Sequence, residues 1–175
     1  MSDTETPEEE PVEAASPVEE LLHDAPVTTS FGQTVLHVDV EGYADLLARL
    51  HAAGFAQVID LCGVDYRGTD RTDLPASIQP ERFEIVVNLI NHAERSRIRV
   101  RAQVADEVDV PSLFDLYPGT EAMEREAFDM FGIAFTDHPD MSRILMPETW
   151  NGYPLRKDYD IGRIPVQFKG APGQR

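Results

Sequence analysis

The sequence predicts an α+β fold, a two-layer α/β arrangement with a mixed sheet, followed by a long extended C-terminal arm. Three observations carry that prediction. Runs rich in β-branched residues fill the middle of the chain, two other segments space their apolar residues at helical period, and positions 136–175 follow neither pattern. At 175 residues and 42% hydrophobic content, the chain is sized for one globular domain with a core of its own.

Each element can be justified in order. Residues 1–26 hold nine acids, four prolines and no Lys or Arg, too little apolar surface to offset the entropy of ordering, so they predict an acidic disordered tail. Within it, Val18 to His23 offers at most one turn of helix. Residues 27–135 form the predicted core domain. Thr34 to Asp39 reads as its first strand, and Gly42 to Ala53 as a helix with Tyr43, Leu46, Leu47 and Leu50 on one side, ended by Gly54. Phe55 to Tyr66 predicts a largely buried strand, and the Asp, Gly and Pro of 67–80 a loop. Arg82 to Asn91 and Ser96 to Val104 predict a hairpin turning through Asn91 to Arg95. A short helix is expected from Pro111 to Leu116, then a second one over Thr120 to Phe131. Residues 136–175 contain five prolines, yet also Trp150, Tyr153, Leu155 and Phe168 among Arg143, Arg156 and Lys157. Such a segment is too apolar for a solvated tail, and its residue types are those of interface hot spots. It predicts an arm docked on a partner rather than packed on its own domain.

Composition narrows the function classes. Thirty-two acids against fifteen Lys and Arg give a net charge of −17, which repels phosphate backbones and anionic headgroups, so neither nucleic acid nor a direct membrane contact is expected. A single cysteine, Cys62, cannot close a disulfide or supply the four thiolates of an iron–sulfur cluster. Met1 to Glu10 lacks a signal peptide's basic start and apolar stretch, no run is long enough to span a bilayer, and the composition suits the cytoplasm. Glycine-rich nucleotide loops, C-x-x-C and G-x-S-x-G are absent, so the chain is expected to hold no cofactor itself.

The densest polar set is Glu124, Arg125, Glu126, Asp129, His138 and Asp140. Carboxylates with a histidine can build a metal site or an acid–base pair. Against that, Glu121, Arg125 and Asp129 stand at i, i+4 and i+8, where ordinary ion pairing along one helix face suffices. His138-Pro139-Asp140 suits a turn equally well. Arg97, Arg99 and Arg101 alternate with apolar residues and share one face of their strand, either a docking stripe for an acidic partner or a solvated surface. Cys62, between Asp60 and Asp65 with no activating histidine adjacent, reads as packing.

The stretch EREAFDMFGIAFTDHPD over Glu124 to Asp140, followed by RIL from Arg143 and GYPLRKDY from Gly152 to Tyr159, closely resembles the signature of the 30 kDa subunit family of respiratory complex I. Bacterial members of that family are the C subunit of NADH-quinone oxidoreductase (NDH-1). A weaker likeness extends over residues 35–165, and DIGRIPVQFKG from Asp160 to Gly170 resembles the actinobacterial branch, whose acceptor would be menaquinone. The resemblance implies a cofactor-free structural subunit of the complex's peripheral arm, carried at the cytoplasmic side of the cell membrane through the complex alone. Its partners would be the D and B subunits, which frame the quinone site, while FMN and iron–sulfur centres in other subunits pass electrons from NADH and proton translocation is coupled to the transfer. It further implies that Glu124, Arg125, Asp129, His138, Asp140, Arg143, Trp150, Tyr153, Arg156 and Lys157 serve the partner interface, with no catalytic or metal-binding residue. Ser142 stands where the family usually has a basic residue and Tyr153 where histidine is common, so roles tied to those side chains do not transfer.

Related subunits of membrane-bound hydrogenases and F420-linked dehydrogenases fit the same signature. From another class, a stand-alone metal-dependent hydrolase would use Glu124, Asp129, His138 and Asp140 and bind metal in isolation. A soluble binding module would instead hold a partner that lacks redox centres.

Overall fold

Residues 19–160 are described by the computed structural model of the chain. The first strands arise from two tight turns. β1 (Leu21–Leu22) folds back on β2 (Ala25–Ser30) through His23 and Asp24, at φ 53° and 59°, and β2 passes to β3 (Gln33–Asp39) through Phe31 and Gly32, at φ 49° and 75°. Paired positive φ values match the twist of hairpin strands. The sheet therefore starts at Leu21, inside the stretch expected to be tail; residues 1–18 lie outside the described part. Periodicity missed β1 because Leu21 and Leu22 stay exposed, and missed β2 because Pro26 and its polar neighbours mask an edge strand.

α1 (Val40–Ala52) starts two residues before the predicted helix because Asp39 caps it, accepting the Gly42 N–H at 2.9 Å. Tyr43, Leu46, Leu47 and Leu50 are buried as their spacing predicts. β4 (Gln57–Asp65) is shorter than expected and is an edge strand rather than a largely buried one: Leu61 and Asp65 are buried, while Ile59, Asp60 and Cys62 face outward. β5 (Phe83–Asn91) and β6 (Ser96–Val104) form the predicted hairpin, in register from Phe83 opposite Val104 to Asn91 opposite Ser96.

The strand order is β1-β2-β3-β6-β5-β4, with β3 and β6 parallel and every other pair antiparallel. No helix forms at Pro111 to Leu116. Instead β7 (Val110–Pro111) lies parallel to β8 (Phe135–Thr136), turns follow, and a 3-10 turn spans Pro118–Thr120. Pairing with β8 keeps Val110 and Pro111 extended, and beyond them only a single turn closes, the Leu116 and Tyr117 N–H groups both donating to the Leu113 carbonyl at 3.0 and 2.7 Å, while the Leu113 N–H is taken by the Glu124 carboxylate at 2.8 Å. α2 (Glu121–Phe131) then runs as predicted and closes on Gly132 at φ 74°.

Both helices cover one face of the sheet, making the expected two layers. Leu36, Leu61, Ile85, Val87 and Val100 rise from the strands to meet Leu46 and Leu47 of α1, Ala127 of α2 and Ile133 beyond it. Gly63 leaves room for Phe131 and Ile133 to sit against β4; a Cβ there would lie 2.8 Å from Phe131. The opposite face is polar, with buried His37, Glu84 and Gln103. Over one end of it, the loop after β4 brings Arg71 to Glu84 at 2.9 Å.

Candidate functional site

The candidate site is where the arm meets α2. Asp129 points into the protein and is fully buried. One of its oxygens accepts the consecutive backbone N–H groups of Ile144, Leu145 and Met146, at 3.1, 2.7 and 2.8 Å, while the other accepts Arg143 Nη1 at 2.6 Å. Burial alone would raise the Asp129 pKa, but these four donors together hold it below the ordinary carboxylate value. Three successive amides turned toward one oxygen wrap the chain around the carboxylate, so the arm is fastened at 143–146. The helical-ladder expectation for Asp129 does not hold, because Arg125 turns to the other side and bonds the backbone and hydroxyl of Ser142 and the carbonyl of Arg143.

A second buried carboxylate fastens the arm further on. Asp65, at the end of β4, accepts the N–H of Lys157 and of Arg67, each at 2.9 Å, and an ion pair from Arg82 at 3.3 Å. Burial raises its pKa, and the Arg82, Lys157 and Arg67 donors more than reverse that. Arg82 also reaches Asp158 at 2.7 Å and Asp106 at 2.6 Å. Between the two anchors the Leu155 N–H donates to the Met130 carbonyl at 3.0 Å, and Arg156 donates to the carbonyl of Phe131. The Arg156 guanidinium lies 4.8 Å from the centre of the Tyr153 ring and 5.0 Å from that of Phe83, and Tyr153 packs edge-on to Phe128. Arg143 lies 5.3 Å from the same Tyr153 ring. Residues 143–158 therefore pack on the chain's own domain, where a contact with a partner alone had been expected. The apolar content of the arm is only partly absorbed: Ile144, Leu145 and Leu155 remain 40%, 60% and 53% exposed.

The remaining expected residues fall into place around these. Glu124 is fully buried and accepts Ser112 Oγ at 2.6 Å, the Leu113 N–H, and Thr120 Oγ1 at 2.9 Å. His138 forms the predicted turn. Its Nε2–H donates to the Glu121 carbonyl at 3.0 Å and its Nδ1 accepts the Asp140 N–H at 3.0 Å, while Asp140 accepts the Ser142 N–H at 3.1 Å. Glu124 and Asp129 thus face inward and position other segments; they do not offer themselves to a partner. Trp150 closes a cleft of about 590 Å³ with Thr149, Asn151, Gly152, Asp158 and Tyr159. Its buried indole N–H has no described partner, and Lys157 Nζ reaches Thr69 at 3.1 Å. Sequence reasoning missed Asp65 and Arg82 as anchors, since nothing in their neighbourhood sets them apart from other Asp and Arg.

As a hydrolase centre the arrangement fails. His138 Nε2 lies 3.9 Å from the Glu124 carboxylate and Asp140 is tied to His138 through its backbone N–H, but Asp129 is engaged apart from them by Arg143 and the arm, and among the described residues no group of three or more His, Cys, Asp or Glu is placed to hold a metal ion. No described helix is long and apolar enough to cross a membrane.

The chain matches the family model described as respiratory-chain NADH dehydrogenase, 30 Kd subunit, over residues 36–164. The NADH-quinone oxidoreductase C subunit of Sinorhizobium medicae is 39% identical over 142 residues, covering 79% of this chain and 66% of that one. Its counterpart in Saccharopolyspora erythraea, an actinobacterium, is 37% identical over 171 residues, covering 93% and 64%. The chain thus spans about two thirds of the length of these relatives, or slightly less. A trypsin-resistant fragment of Nqo5 superposes with a TM-score of 0.56 at 31% identity, over 66% of this chain and 89% of the fragment. The fold also recurs in a chain of an archaeal membrane-bound sulfane sulfur reductase, at a TM-score of 0.63 and 22% identity over 86% and 88%. Signature, fold and relatives agree, and the chain belongs to the family of the respiratory-chain NADH dehydrogenase 30 kDa subunit.

Proposed function

We propose that the chain is a structural and assembly subunit in the peripheral arm of a proton-translocating NADH:quinone oxidoreductase, held at the cytoplasmic side of the membrane through the complex. In this reading it binds no cofactor. FMN and iron–sulfur centres of other subunits pass electrons from NADH to a quinone, menaquinone for an actinobacterial enzyme, and the D and B subunits are its neighbours. The family match over residues 36–164 carries the reading. The geometry adds a mechanism for the assembly role. Buried Asp129 and Asp65 hold the arm in one shape before any partner arrives, so Ile144, Leu145 and Leu155 are presented outward at little further entropic cost. Preorganised exposed apolar groups on a rigid scaffold are what a partner surface can bury.

The test is to tag the chain in its native host, solubilise membranes gently, identify what co-purifies by mass spectrometry and assay the eluate for NADH-dependent quinone reduction. Recovery with the D and B subunits in an assembly containing FMN and iron–sulfur centres is expected. Recovery as a free protein without redox partners overturns the reading.

A further inference from the structure

Asp65 is shared by two segments that lie on opposite faces of the sheet. Its Oδ1 accepts the Arg67 N–H, where the loop 67–80 begins, and its Oδ2 accepts the Lys157 N–H of the arm, each at 2.9 Å. Around it the two segments also bond each other. Arg67 forms an ion pair with Asp158, Lys157 Nζ meets Thr69 Oγ1 at 3.1 Å, and Arg82 bridges Asp65 and Asp158. The arm arrives from the helix side, where the Leu155 N–H donates to the Met130 carbonyl of α2. The loop leaves for the other side, where Arg71 reaches Glu84 on the polar face. What holds the loop there is polar, since residues 67–73 contain no apolar side chain. The Arg71 side chain, only 3% exposed, lies 3.6 Å from the centre of the Tyr66 ring and pairs with Glu84 and Asp73, each at 2.9 Å. Asp73 pairs in turn with Arg101 at 2.7 Å. A buried ion pair returns little net stability, and a loop without apolar contacts of its own opens at low cost. Its order therefore leans on the contacts at its start, and most of those are made by the arm.

We propose that arm residues 157–158 and loop residues 67–73 are one clasp, closed across the sheet edge on Asp65: seating the arm fixes the loop over Glu84, and releasing either segment frees both. The clasp is a property of the chain itself and stands apart from the assembly reading. By linkage, a partner that binds only the seated arm also tightens the loop on the far face. Arg71 bonds to no described residue of the arm, so hydrogen exchange at its Nε–H, followed by NMR in the full chain, reports the coupling. Asp158→Asn removes the ion pairs to Arg67 and Arg82. It should speed exchange of the Arg71 Nε–H together with the Lys157 amide by about fivefold or more, with the Val87 and Val100 amides in the middle of the sheet unchanged. Conversely, Arg71→Gln should speed the Lys157 and Leu155 amides. If Asp158→Asn quickens Val87 and Val100 as well, Lys157→Ala takes its place, since it keeps the backbone bond to Asp65 and loses only the contact with Thr69. An arm that quickens while Arg71 stays slow overturns the proposal, as does an arm that stays slow in Arg71→Gln.

Discussion

Asp129, Asp65 and Glu124 are all buried, and each accepts at least one backbone N–H from outside its own element together with side-chain donors. A carboxylate is suited to that work because it accepts several donors at once, and hydrogen bonds to a charged group contribute about 1.5–3 kcal/mol each where a neutral pair gives half as much. Asp129→Ala leaves Arg143 and three amides without their acceptor in a buried site, for which a loss of about 3–5 kcal/mol in denaturant unfolding is expected. Fast hydrogen exchange at Ile144, Leu145 and Met146 should accompany it; retained protection there would show that the arm is held by other contacts. His37 marks a different kind of strain. It is fully buried, its Nε2 lies 2.7 Å from Thr28 Oγ1 and its Nδ1 has no described partner. Burial first, then the Arg101 charge, lowers its pKa from 6.5 to about 4. Folding thus favours the neutral ring, so its contribution is complete above pH 6.5 and is lost as pH falls from there through 4. The Asp73 carboxylate, lowered from 3.8 to about 2 by its Arg71 and Arg101 bonds against the opposing effect of burial, contributes above 3.8 and is lost only as pH falls toward 2. Melting temperature followed between pH 7.5 and 4 should therefore fall in the native chain and fall less in His37→Leu. Parallel curves would remove His37 as the cause.

At the level of elements, legibility tracked how much a segment owes to its own periodicity. The β5–β6 hairpin, α1 and α2 bury one face each, and their spacing reveals it. The β1–β2 hairpin buries little and turns on His23-Asp24 rather than a glycine pair, so no strand signal marks it. Pro111 to Leu116 has helical composition but is claimed by β8 and by Glu124, and such long-range competition cannot be read locally. Among the site residues, the family signature marked the right stretch but not its direction. Glu121, Glu124, Glu126 and Asp129 are alike as residue types, and only packing decides that Glu124 and Asp129 point inward. The junction between α2 and the arm is also steric. At Gly132 the backbone is left-handed, and a Cβ would lie 2.5 Å from the Tyr153 ring and 2.8 Å from Arg156 Nη2. Gly132→Ala therefore combines a strained φ with displacement of the two side chains that clamp the arm. A destabilisation of about 1–3 kcal/mol is expected, with weakened proteolytic protection after Tyr153, and thermal melts with limited proteolysis would check both.

For the molecule as a whole, the decisive property is that the arm is folded yet incompletely covered. An arm whose apolar residues were all absorbed by its own domain would have no reason to seek a partner, and one without internal anchors would lose conformational entropy on binding. Here the anchors are polar and internal and act on the backbone, whereas the unabsorbed surface is the apolar side chains of Ile144 and Leu145, at the first anchor, and of Leu155, between the two. This separation makes the two roles experimentally separable. Leu145 contributes its N–H to Asp129 but its side chain is 60% exposed, so Leu145→Asp leaves the backbone bond possible and changes only what the surface presents. Ile144→Asp at 40% exposure acts the same way. Charge reversal at Arg156 is a poorer probe, since that side chain also holds Tyr153 and the Phe131 carbonyl and its loss loosens the arm itself. The double variant Leu145→Asp/Ile144→Asp should keep the melting temperature of the isolated chain within a few degrees while sharply reducing recovery of partner subunits in the tagged preparation. Undiminished recovery at unchanged stability would move the interface away from this part of the arm. A collapse of stability would instead show that these side chains are structural, with the surface role lying elsewhere.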